Sequence, residues 1–308
     1  MDKLQKVGLT ALGTALVSTA SFAGDMAVTG SAIMTYAVND NSNNNNAWSM
    51  SDTMTFTGSG ELDNGWTMTF SHAIDLGAND ANSIKLDMGD MGTLTFAGLG
   101  GSGPVAATDD KMPSANEESW NNVDGTVTAA AAGASGANGF NYVLPSLIDN
   151  VAMEVYYLPA AAASTTSLEY GITYTGIDGL TVGYAGGDNE TTASNTIEST
   201  NLYATYTMDA FTLGFQDNET DRQAANTDTD FQAYAVSYAV SDELSVSYGA
   251  STVEHENSSK EDQEASAVSF SYVSGGMTFS GSLANVDNVG GTAATDNTGY
   301  ELNVTFAF

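Results

Sequence analysis

The 308-residue chain carries 38 Asp and Glu against 6 Lys and Arg. That balance sets nucleic acid aside as a partner, because phosphates are bound by basic surfaces. The chain has no cysteine, which excludes disulfides, thiolate nucleophiles and cysteine-bound metals.

The amino end reads as a leader. Lys3 and Lys6 precede a short apolar run over 7–17, and Ser21 and Ala23 are small residues at the spacing of a signal-peptidase site, which places cleavage after Ala23. The run is too short for a spanning helix, which needs about 20 residues. Residues 1–23 are thus expected as a signal peptide and 24–308 as one barrel domain. Removing Asp2, Lys3 and Lys6 from 38 acids and 6 bases leaves 37 against 4, so the acidity belongs to the exported part. Such acidity suits meeting cations, and equally suits solubility in salty water.

From Gly24 onward one unit recurs. Apolar and polar residues alternate with period 2, the pattern of a strand with unlike faces. It runs through Met26–Val38, Met54–Phe56, Trp66–Phe70, Ile84–Met88 and Leu94–Phe96. After a gap it resumes at Phe140–Leu144, Val151–Tyr157, Leu168–Tyr174, Leu180–Tyr184, Leu202–Met208 and Phe211–Phe215. It ends with Tyr234–Val240, Leu244–Tyr248, Val268–Tyr272, Met277–Leu283 and Tyr300–Phe308, sixteen segments in all. Tight connections such as Asp63-Asn64-Gly65 and Ile177-Asp178-Gly179 carry hairpin residues and alternate with longer polar loops, among them 76–82, 186–200, 216–230 and 251–264. Long loops at one end and tight turns at the other describe a transmembrane barrel. An even strand count closes it without a free edge, as hydrocarbon requires. The polar face points the same way. In a dry core each Thr, Ser or Glu would need a partner or cost about 1–3 kcal/mol, whereas a wet lumen solvates it. The expected fold is all-β, a sixteen-stranded antiparallel transmembrane barrel.

The terminal Y-E-L-N-V-T-F-A-F, the leader ending S-F-A, the alternating strands over 24–308 and one long insert after the fifth strand resemble the general porins of Gram-negative outer membranes, particularly the sixteen-stranded alphaproteobacterial type. The resemblance implies an outer-membrane location among lipid and lipopolysaccharide and a homotrimer. It also implies a third loop folded inward, passage of small hydrophilic solutes, and a terminal Phe308 read by the outer-membrane assembly machinery.

The insert, Leu99–Gly139, matches that constriction loop by position; a solvated outer loop is the other reading of the same residues. Folded inward, it would place Asp109, Asp110, Glu117, Glu118 and Asp124 at the narrowest point, and its small residues over 127–137 would let the returning segment lie against the barrel wall. Lys85 is then the only base at lumen parity on a strand, where the family sets a ladder of bases. Glu61, Asp75, Asp87, Glu154 and Glu169 also fall at inward parity, so a negative lumen and cation selectivity are expected. The crowded acids Asp109, Asp110, Glu117 and Glu118 suggest a Ca²⁺ site, although no EF-hand spacing is present and repulsion relieved by water explains them as well. No hydrolase, zinc-protease or phosphate-loop motif occurs, so no enzyme is expected and no cofactor is required. A substrate-specific channel and a secreted or adhesive β protein are the alternatives. The second would bury a costly dry polar face.

Overall fold

A computed structural model describes residues 26–39, 47–121, 123, 126, 133–160, 166–192 and 195–308. The leader and Asp124 lie outside the described residues. Sixteen strands form a closed barrel. The first five are β1 (Met26–Asn39), β2 (Trp48–Glu61), β3 (Thr67–Asp75), β4 (Ala78–Asp87) and β5 (Thr93–Leu99). The described part of the insert contributes two-residue strands β6 (Gly101–Ser102) and β7 (Ser135–Gly136) and the short helix α1 (Pro104–Thr108). The barrel resumes with β8 (Gly139–Val143), β9 (Val151–Leu158), β10 (Ser167–Ile177), β11 (Leu180–Thr192), β12 (Asn195–Met208) and β13 (Phe211–Arg222). It finishes with β14 (Thr229–Ala239), β15 (Leu244–His255), β16 (Gln263–Ser274), β17 (Met277–Asp287) and β18 (Asn297–Ala307). Every barrel strand pairs antiparallel with its neighbours, and β18 returns to β1. Among the described residues no helix is long and apolar enough to cross a membrane.

The alternation sets the faces. Met54, Phe70 and Ile84 lie on the exposed outer face, with Thr55, Ser71 and Ser83 between them pointing inward. All sixteen apolar segments fall on barrel strands. Their ends differ from expectation at one pole. The stretches 186–200 and 216–230, expected as long loops, are largely strand in β11 to β14, and 251–264 is half strand. Above the apolar belt both faces of a strand meet water, so the hydrophobic alternation stops while the ladder of backbone hydrogen bonds continues. The connection expected over 76–82 is instead a two-residue turn. Leu76 (φ 47°) and Gly77 (φ 77°) both take the left-handed region that tight hairpins demand.

The seam closes on the last residue. Gly30 N–H donates to the Phe308 carbonyl and Phe308 N–H to the Gly30 carbonyl, both at 2.9 Å. The Phe308 ring lies across Gly30, where an added Cβ would come within 2.8 Å of it. A glycine on β1 is therefore what lets the terminal aromatic dock on the outer surface.

Candidate functional site: the insert inside the barrel

The insert folds inward and runs along one wall. It leaves β5 at Gly100, and its two limbs pair briefly as β6 and β7. Pro104 then sits on β10, where a Cβ on inward Gly171 would lie 2.6 Å from its own Cβ. Pro113 lies against Gly214 of β13, and Trp120 meets Phe231 of β14 edge-on at 5.0 Å, in a cluster with Met112, Ala233 and Val253. Val123 packs on Ala265, Ala267, Ala284 and Val286 of β16 and β17. Where these groups sit, the wall beneath the insert carries inward Gly and Ala, set between inward Ser, Asn and Gln. The facing wall, β1 to β5, also carries inward hydroxyls, including Ser31, Thr53, Thr57, Ser71 and Thr95. The sequence pointed to small residues in the insert itself, over 127–137. Positions 127–132 lie outside the described residues, and the strands themselves provide the room.

Inward polar side chains from β12 to β17 bind the insert, mostly through its backbone. Asn201 Nδ2 donates to the Val105 carbonyl at 2.6 Å, and Gln216 Oε1 accepts from Lys111 N–H at 2.9 Å. Ser247 Oγ accepts from Ala115 N–H at 2.9 Å. At the far end Ser280 Oγ donates to Asn116 Oδ1 at 2.6 Å. Without these partners the insert's peptide groups would meet an occluded wall unsatisfied, at about 1–3 kcal/mol each.

The expected acids divide. Asp109 and Glu118 are half-buried against the wall, and Asp110 and Lys111 are exposed. Burial, with Asp110's charge added, pushes the Asp109 carboxyl up to about 6. The same two causes push Glu118 to about 7, against the Ser114 hydroxyl, which donates to it at 3.0 Å. Asp110 keeps an exposed side chain, but protein crowding its carboxyl raises it too, opposed by Lys111. Burial raises Glu117 most, opposed by Asn121 and reinforced by Glu301 and Asp110. Asn121 Nδ2 bridges Glu117 (2.6 Å) and Glu118 (2.9 Å). Glu301, on the inward face of β18 near Asn116 and Glu117, belongs to this group and was missed. The inward parity of the terminal strand was the signal that could have found it.

The five wall acids do not form one ring. Glu61 and Asp87 are exposed at the tight-turn ends of β2 and β4, and Asp87 Oδ1 accepts from Gly89 N–H at 3.0 Å. Asp75 is at the opposite end of β3. Glu154 is half-buried and accepts from Asn141 Nδ2 at 3.1 Å. Glu169, expected to line the lumen, is 1% exposed beneath the insert. The expectation of a lumen that is negative throughout is corrected in a second way. Asp217, Glu219, Asp230 and Glu254 share the outward parity of Phe215, Tyr234 and Tyr248, so part of the negative charge stands on the outer surface above the apolar belt. Lys85 faces the lumen between Thr69 and Thr95.

Among the described residues no group of three or more His, Asp or Glu side chains is arranged to hold a metal ion. The Asn121 bridge and Ser114 take up oxygens that a cation would need.

Comparison with known proteins decides the family. The family model described as Gram-negative porin matches residues 8–265. The chain belongs to the Gram-negative porin family. No curated protein sequence matches it. Among solved structures, it is similar to the anion-selective porin from Comamonas acidovorans, with a TM-score of 0.72 and 13% identity over 92% of this chain and 99% of that one. It is also similar to a mutant of the Rh. blastica porin, with a TM-score of 0.65 and 15% identity over 92% of this chain and all of that one. A third is OmpT of Vibrio cholerae in its trimer form, with a TM-score of 0.69 and 13% identity over 93% of this chain and all of that one. At such identity these likenesses speak for the fold. The porin is an outer-membrane protein and a pore, and its family and fold are those of a channel rather than an enzyme.

Proposed function

We propose that this porin passes small hydrophilic solutes by diffusion and prefers cations. One observation carries the preference. The insert presents Asp109, Asp110, Glu117 and Glu118, joined by Glu301, while the facing wall offers hydroxyls and the single base Lys85. A carboxylate-rich constriction attracts cations and repels anions. The Comamonas porin, anion-selective by name, shares the barrel but does not decide the charge of this one. In a planar bilayer under a tenfold KCl gradient, the reversal potential should take the sign of potassium permeation. The sign of chloride permeation would overturn the charge argument.

Three partners complete the reading. The outer face from β2 to β5 has no tyrosine and displays Met50, Met54 and Met68, whereas Tyr170, Tyr234 and Tyr248 stand on the later strands. Trp48 and Phe70 also stand on that face, and its flexible methionines suit packing against two further copies, as in the trimer form of OmpT. Sedimentation in detergent at a monomer mass would remove this part. The outward acids above the belt of β13 to β15 stand at headgroup height, where divalent cations would bridge them to the anionic groups of lipopolysaccharide. Phe308 is exposed at the seam, which supports its reading as the residue that the assembly machinery recognises. Its replacement by a polar residue should lower barrel yield, and unchanged yield would refute that role.

A further inference from the structure

Glu169 is a buried acid without an evident task in conduction. It projects inward from β10, and its two oxygens face the two limbs of the insert. Val105 N–H, at the start of the outgoing limb, donates to Oε2 at 3.0 Å. Ala134 N–H, on the returning limb and itself fully buried, donates to Oε1. The charges that act on this carboxylate, Asp188 and Glu154, are both acids. Backbone N–H groups are thus its hydrogen-bond partners in place of a cation.

The surroundings are shaped around it. A Cβ at Gly103 would strike its Oε2, and one at Gly187 would lie 2.7 Å from its Cγ. Tyr156, 1% exposed, fills the adjoining space, and side chains at Gly101 or Gly139 would run into its hydroxyl. Glycines before, after and opposite the two limbs therefore let the insert's root close on a single carboxylate. Among the described residues the other wall hydrogen bonds each hold one limb only: Asn201 and Gln216 the outgoing limb, and Asn189 Nδ2 the returning one through the Gly133 carbonyl at 3.1 Å.

We propose that Glu169 is the positioning residue that latches both limbs of the insert to the wall and so sets the open cross-section of the pore. A carboxylate can accept from two N–H groups at once. A carboxamide of the same shape must turn its own N–H toward one of them, so Glu169→Gln keeps the volume and loses the latch. The proposal rests on the pore reading and adds which group fixes the aperture.

The test uses the absence of native cysteine. A Cβ at Gly133 would lie 3.0 Å from the Ala106 Cβ and 2.8 Å from the Ala106 nitrogen, so a small outward shift of the returning limb brings the pair to the roughly 3.5–4.5 Å that a disulfide spans. The pair Ala106→Cys and Gly133→Cys can therefore tie the limbs without Glu169. Single-channel conductance and the largest sugar admitted by liposomes are measured for wild type, Glu169→Gln and Glu169→Ala, each with and without the oxidised pair. The latch predicts a conductance about 1.5-fold above wild type in both variants. It also predicts a larger sugar limit, and wild-type values once the disulfide forms. Wild-type conductance and sugar limit in Glu169→Gln would overturn it. So would failure of both variants to form barrels even with the disulfide, since Glu169 would then serve the barrel rather than the insert. A wild-type protein that does not conduct would count against the pore reading instead.

Discussion

The ratio of potassium to chloride permeability should fall by a factor of about two to five as the pH drops from 8 to 5. The sign follows from two carboxyls in the constriction. Burial and the charge of Asp110 raise Asp109 to about 6 and Glu118 to about 7, so each holds its proton to a higher pH than an exposed acid. At pH 8 both are ionised and add to Asp110, Glu117 and Glu301. At pH 5 both are largely neutral, and Lys85 and Lys111 weigh more heavily in what remains. Asp109→Asn with Glu118→Gln should hold the ratio at its acid value across this range. Reversal potentials at a series of pH values measure it. A wild-type ratio that stays flat between pH 5 and 8 would show that these two groups do not set selectivity.

Trp120→Ala should free the far part of the insert without opening the barrel. The ring packs edge-on against Phe231 with Met112, Ala233 and Val253 around it. Deleting a buried Trp side chain costs about 3–5 kcal/mol. That loss falls on the insert's seat at β14 and β15, because the hydrogen-bonded ladders of those strands do not pass through Trp120. Neighbouring Ser119 would lose its 3.0 Å contact with Ser251 as the segment lifts. Limited proteolysis should cut the variant within 99–139 while circular dichroism still shows intact sheet. An insert as resistant as wild type would mean that the polar contacts alone hold it.

Much of this architecture is legible in the order of residues along the chain. Period-2 alternation locates all sixteen barrel strands, because lipid outside and water inside impose opposite chemistry on adjacent residues. The length of 99–139 singles out the insert. Strand ends above the belt are not legible, since residues such as Glu198 or Asp221 are polar on a strand or in a loop alike. Parity alone also cannot separate Glu169 from Glu61. Both point inward, but only the path of the insert decides which of them water reaches. The same limit hides the seat of Trp120, which depends on Ala233 and Val253 more than a hundred residues away.

Conduction depends on which face of each strand is wet, and a cysteine-free barrel allows that to be read directly. Ser71→Cys places a thiol inward on β3, beside Thr57 and Ser83, and Phe70→Cys places one on the outer face. Reaction with a charged, membrane-impermeant maleimide in reconstituted vesicles is the measurement. Rapid labelling at position 71 with little at position 70 is the predicted result. Labelling at 70 with protection at 71 would put water on the wrong side of the wall and contradict the pore.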